Sequence, residues 1–116
     1  MPNLPAPIDP HAVYLPVDPP RGHDAAARHS AWRAALGRQI EEILTAGDHD
    51  VVLDCSEAGY IDTLTLGMLL RVSREARQLR HRVSLVGCSR EQLDVFVHAR
   101  LLDRLEVHED PARREA

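Results

Sequence analysis

The side chains that could do chemistry in this chain fall into four small groups. His23 and His29 flank the start of a helical pattern and could share a side as two metal ligands, but no Cys or carboxylate cluster completes a set, so they read as solvated surface histidines. Cys55 and Cys88 are too few for a disulfide framework and lack metal-ligand spacing, so they read as buried, reduced thiols rather than a redox pair. Asp54 closes the apolar run Val51-Val52-Leu53, where a strand-end aspartate could accept a phosphoryl group. That chemistry also calls for an acidic pair and a lysine, and all 14 basic residues here are arginine. Asp54 is therefore expected to fix its loop through backbone hydrogen bonds. The fourth group, Asp62-Thr63, stands where a loop becomes an amphipathic helix, and either residue can be the N-cap. A hydroxyl there faces unpaired N–H groups and the positive end of the helix dipole, so a phosphate added at Thr63 would be stabilised, with about −1.5 to −2 charges placed beside Asp62.

Complete catalytic motifs are absent. There is no G-x-G-x-x-G, P-loop, G-x-S-x-G or H-E-x-x-H, and the missing lysine removes Schiff-base and kinase-type mechanisms. Neither a catalytic residue nor a metal or cofactor site is assigned, and no enzymatic activity is expected.

The elements that position these residues alternate in type. Seven of the eight prolines lie in the first 20 residues, which can be extended but not helical. His11 to Val17 is the best edge strand there, with Pro16 at an edge or bulge. Asp24 can cap a helix running to about Leu44, with Trp32, Leu36, Ile40, Ile43 and Leu44 on one stripe and Gly47 beyond its end. Val51-Val52-Leu53 suits a strand covered on both faces. A second helix spans Leu64 to Leu79, with Leu66, Leu69, Leu70, Ser73 and Ala76 inward. Val83 to Val86 forms the next strand. Ser89 and Gln92 have capping-box spacing ahead of Leu93, Phe96, Val97 and Leu101, and a short strand occupies Leu105 to Val107. This order predicts a single α/β domain with parallel strands joined by right-handed crossovers.

Composition agrees with one soluble domain. The chain has 116 residues, 44% hydrophobic and 28% charged, enough to bury a core. Aromatics are 3%, so the core is built from Leu, Val, Ala and Ile. A net charge of −4 with so few aromatics argues against nucleic acid and anionic membranes as partners. No membrane span or signal peptide is visible, and the expected location is cytoplasmic.

The quoted residues resemble the STAS family, the sulphate-transporter and anti-sigma-factor-antagonist domain. Its pattern is an apolar strand ending in Asp, a short loop, Asp-Ser/Thr-x-Gly-Leu-Gly opening a helix, then a second apolar strand. Here these are Val51 to Ser56, Ile61-Asp62-Thr63-Leu64-Thr65-Leu66-Gly67, and Val83 to Cys88, with Thr65 where the family usually has glycine. The match is clear from Asp50 to about His108. The resemblance implies a four- to five-stranded, mostly parallel or mixed sheet with packed helices. Residues 1–20 would form a Pro-rich segment, 21–109 the STAS-like domain and 110–116 a polar tail.

By the same resemblance the protein binds rather than catalyses. Thr63 maps onto the phosphoacceptor, and Asp62, Thr63, Leu64, Thr65, Leu66, Gly67 and Ser89 onto the partner surface. The implied partner is a kinase-type anti-sigma factor, which phosphorylates the acceptor and so ends the complex. The alternative is an accessory subunit of a lipid-transporter ATPase or a signalling scaffold, without a phospho-switch. Weak homodimerisation is compatible with either.

Overall fold

The computed structural model describes residues 12–22, 25–47, 49–101 and 104–109. His11, His23, Asp24 and the tail 110–116 lie outside the described residues. In chain order the elements are β1 (Val13–Pro16), α1 (Ala25–Ala46), β2 (Val51–Asp54), α2 (Thr63–Gln78), β3 (Val83–Cys88), α3 (Arg90–His98) and β4 (Glu106–Glu109). The four strands form one sheet in the order β1-β2-β3-β4, and all three pairings are parallel. Among the described residues the expected range of four to five strands, parallel or mixed, thus resolves to four, all parallel.

Right-handed crossovers between successive neighbours place helices on one face of such a sheet. The core has that form. Val17, Val51, Leu53, Val83 and Leu85 join Leu36, Ile40 and Leu44 of α1, Leu69, Val72 and Ala76 of α2, and Phe96 of α3 in one buried cluster. Val52 and Val86, which alternate with these strand residues, are buried but lie outside the cluster.

β1 shows why a proline is tolerated in this sheet. The N–H groups of Val13 and Val17 donate to the carbonyls of Asp50 at 2.8 Å and Asp54 at 2.9 Å. Pro16 falls on the alternate set, directed away from β2, and so removes no ladder bond. At the other side of the sheet the β3–β4 register shifts between Leu85 and Cys88. Gly87 there has φ +70°, a left-handed conformation that favours glycine.

The ends of α2 and α3 lack the glycine that usually marks them. Arg80 (φ 64°) and Arg100 (φ 59°) take the left-handed position. In α2 the N–H of His81 donates to Ala76 O at 2.8 Å and that of Arg80 to Arg77 O at 3.0 Å; in α3 the N–H of Leu101 donates to Phe96 O at 2.9 Å and that of Arg100 to Val97 O at 3.0 Å. Both are Schellman closures.

Candidate functional site

The C-terminal end of β2 delivers the chain to the start of α2 through a pinned loop. Asp54 Oδ1 accepts from the Ser56 N–H at 2.9 Å, the loop-fixing role expected for it. The far side of the loop is held from α3. Gln92 is 4% exposed. Its Nε2 donates to Gly59 O at 2.7 Å and Cys55 O at 3.3 Å, while its Oε1 accepts from the Ser89 N–H at 2.8 Å. The expected Ser89–Gln92 capping box is therefore present, and its glutamine also clamps the β2–α2 loop. Sequence spacing gave the cap but carried no signal for the clamp, whose acceptors lie more than 30 residues away.

Asp62, not Thr63, is the N-cap of α2. Its backbone is extended (φ −81°, ψ 171°) and its Oδ1 accepts from the Thr65 N–H at 2.8 Å. Two α1 side chains bracket the same carboxylate: Arg33 Nη2 lies 3.7 Å and His29 Nδ1 3.9 Å from Asp62 Oδ2. Arg33 Nε also donates to Thr65 Oγ1 at 3.4 Å. Hydrogen bonding from the Thr65 hydroxyl, then from its N–H, holds the Asp62 carboxyl below the usual carboxylate range, with Arg33 and His29 adding to the effect.

Because the folded value is depressed, the stabilisation exists above the unfolded pKa of about 4 and is lost as pH falls through the lower folded value. Asp62→Ala is expected to cost about 1 kcal/mol. Asp62→Asn keeps a capping oxygen but no charge, so its deficit in urea denaturation should be present at neutral pH and vanish in acid. A constant deficit across that range would show that charge plays no part.

The expected contact residues divide by exposure. Thr65 is 3% exposed and, with Leu66, turns into the core, so neither is presented to a partner. Thr63 and Gly67 are exposed, and Asp62 and Ser89 are half-buried. Leu64 is 66% and Tyr60 77% exposed, large apolar surfaces on either side of Thr63. Leu64 and Gly67 share a helix face, and a Cβ on Gly67 would meet nothing within 4 Å. Tyr60, Ile61, Ser89 and Gln92 also line a groove of about 540 Å³ with Arg21 and Val95. Tyr60 was not singled out from sequence.

The thermodynamic state of the cysteines fits packing rather than reactivity. Cys55 and Cys88 are buried free thiols. A hydrogen bond with Cys88, with burial, pushes the Cys55 thiol far above its ordinary pKa and keeps it protonated. Among the described residues no group of three or more His, Cys, Asp or Glu could hold a metal ion, and no helix is long and apolar enough to cross a membrane.

A pinned strand-end loop, an aspartate cap and an exposed threonine at the first turn of the second helix form the arrangement that the motif implied. A family model described as "Mlab, STAS domain" matches residues 29–107, from within α1 to β4. The chain belongs to the STAS domain family. No curated protein matches it. STAS domains generally mediate protein–protein interaction and are generally non-enzymatic. In this STAS domain, Thr65 at the usual glycine position is accommodated by burial and by its bonds to Asp62 and Arg33.

Proposed function

We propose that this STAS domain is a protein-binding regulator whose contact surface is the rim Tyr60, Thr63, Leu64 and Gly67, and that phosphorylation of Thr63 releases the partner. The observation that carries the reading is an exposed threonine directly after the Asp62 cap, in a stretch of chain where Tyr60 and Leu64 are also exposed. Leu64 and Tyr60 supply desolvation energy on docking, and truncation of such anchors typically costs more than about 1 kcal/mol. A phosphate on Thr63 would place about −1.5 to −2 charges in that interface, beside the Asp62 carboxylate. The first N–H groups of α2 have no intrahelical acceptor and can hold the phosphate without unfolding the helix. Resemblance to anti-sigma-factor antagonists makes the partner a kinase-type anti-sigma factor.

Incubation with ATP and candidate kinases tests the switch: label is expected on the wild type and absent from Thr63→Ala, and equal labelling of the two would refute the acceptor assignment. Thr63→Glu is expected to weaken partner binding at least about tenfold. Capture of a transporter ATPase, with binding unchanged by Thr63→Glu, would replace this reading by constitutive docking through Tyr60 and Leu64.

A further inference from the structure

The charges of α2 are distributed unevenly along its length. Arg71 is paired with Glu41 and Glu75, and Arg82 at the start of β3 is held by Glu106, with Nε 2.9 Å from Oε1. Among the described residues, Arg74, Arg77 and Arg104 form no ion pair within 4.0 Å. All three line one recess of about 440 Å³, whose floor includes Gly67 and Leu70. Arg77 and Arg104 also line an adjoining recess of about 200 Å³, at whose wall stands Ser73. Ser73 is nine-tenths buried, and its Oγ has no hydrogen-bond partner.

No carboxylate lines the larger recess, where Arg71 stands beside these three arginines, while Glu106, which holds Arg82, lines the smaller one. Guanidinium groups sharing the larger recess repel one another, and a bound anion relieves that repulsion. The chain as a whole is acidic, with a net charge of −4, so this cationic recess is a local feature and not part of a general basic surface. Its volume is that of a small-ligand site. Arginine forks match the oxygens of a phosphate group in pairs.

We propose that the larger recess between α2 and the turn before β4 is a binding site for a phosphate group, with Arg77 and Arg104 as its principal ligands and Arg74 completing the charge. The phosphate group belongs either to a soluble phosphate compound or to a lipid headgroup. Arg77 lies about 20 Å along the helix from Thr63 at 1.5 Å per residue, while Gly67 lines the recess and also belongs to the proposed contact rim.

The test is a titration of isotope-labelled protein with inorganic phosphate and with pyrophosphate at constant ionic strength, read on the amide signals of Ser73, Arg104 and Leu105 and on arginine Nε–H signals. Saturable shifts are expected. Arg77→Gln and Arg104→Gln are each expected to weaken binding about tenfold or more, while Arg38→Gln, an exposed α1 change, and Thr63→Ala leave it unchanged. Co-sedimentation with phosphatidylcholine vesicles, with and without phosphatidic acid, separates the sources. Arg104-dependent binding to the phosphatidic acid vesicles without a response to soluble phosphate assigns a lipid headgroup; a saturable response to soluble phosphate assigns the free compound. Shifts that do not saturate, that chloride reproduces, or that survive both arginine substitutions overturn the proposal. So does binding of a glutamate-rich peptide with no response to phosphate in either form.

Discussion

Phe96→Ala is expected to lower the unfolding free energy by about 3–5 kcal/mol. Phe96 is the only phenylalanine and is wholly buried. α3 fully buries just two residues, one polar and one apolar, Gln92 and Phe96, while its Leu93 and Val95 pack partly buried against the core. Removing the apolar one leaves a cavity and loosens the platform from which Gln92 holds the β2–α2 loop. Total stability of a domain is about 5–15 kcal/mol, so the loss is a large share of it. Urea denaturation should show a lower midpoint with little change in slope. A cost below about 1 kcal/mol would mean that α3 is held by something other than this side chain.

Gly87→Ala is expected to cost about 2–4 kcal/mol, combining a left-handed conformation that alanine disfavours with overpacking. The added Cβ would come within 3.0 Å of Asp54 Oδ1 and 3.3 Å of the Ser56 backbone nitrogen. The substitution therefore presses on the Asp54–Ser56 turn that begins the functional loop. Faster hydrogen exchange at the Ser56 amide should accompany the lower denaturation midpoint; a wild-type midpoint would refute the close packing of β3 against that turn.

The parts of the fold legible in the sequence were those whose signal is local. Leu36, Ile40 and Leu44 repeat at helical spacing and are buried as expected, and the Val51-Val52-Leu53 run is a strand with both faces covered. Element boundaries were less legible where a local sign was missing or ambiguous. β3 runs on to Cys88 instead of stopping at Val86, because Gly87 bends within the strand without ending it. The last strand begins at Glu106, one residue later than expected, because Leu105 closes the preceding turn by donating its N–H to Leu101 O at 3.0 Å. Arg80 and Arg100 end their helices in a conformation that no arginine advertises.

At the site, a cap at Asp62 or Thr63 and the Ser89–Gln92 box followed from residue type and spacing. What surrounds them did not. Val97, one of the apolar residues after the cap, is 53% exposed, while the polar Gln92 is buried because distant carbonyls satisfy its amide. Arg33 and His29 reach the Asp62 carboxylate from α1, about 30 residues earlier, a proximity set by helix packing and not by any pattern near either residue.

The sheet order equals the chain order, so every strand has its ladder partners among its immediate predecessors and successors and none is inserted between two others. Such a layout lets each β–α unit add to a finished edge without disturbing earlier ones, which keeps loop closure short during folding. It also means that the last unit, α3 with β4, can open and reclose while β1, β2 and β3 remain paired. The clamp from Gln92 travels with that unit. Transient detachment of α3 would therefore free the Cys55–Gly59 backbone and change the mobility of the Tyr60 rim while the central ladder stays closed, coupling the loop's dynamics to the last β–α unit.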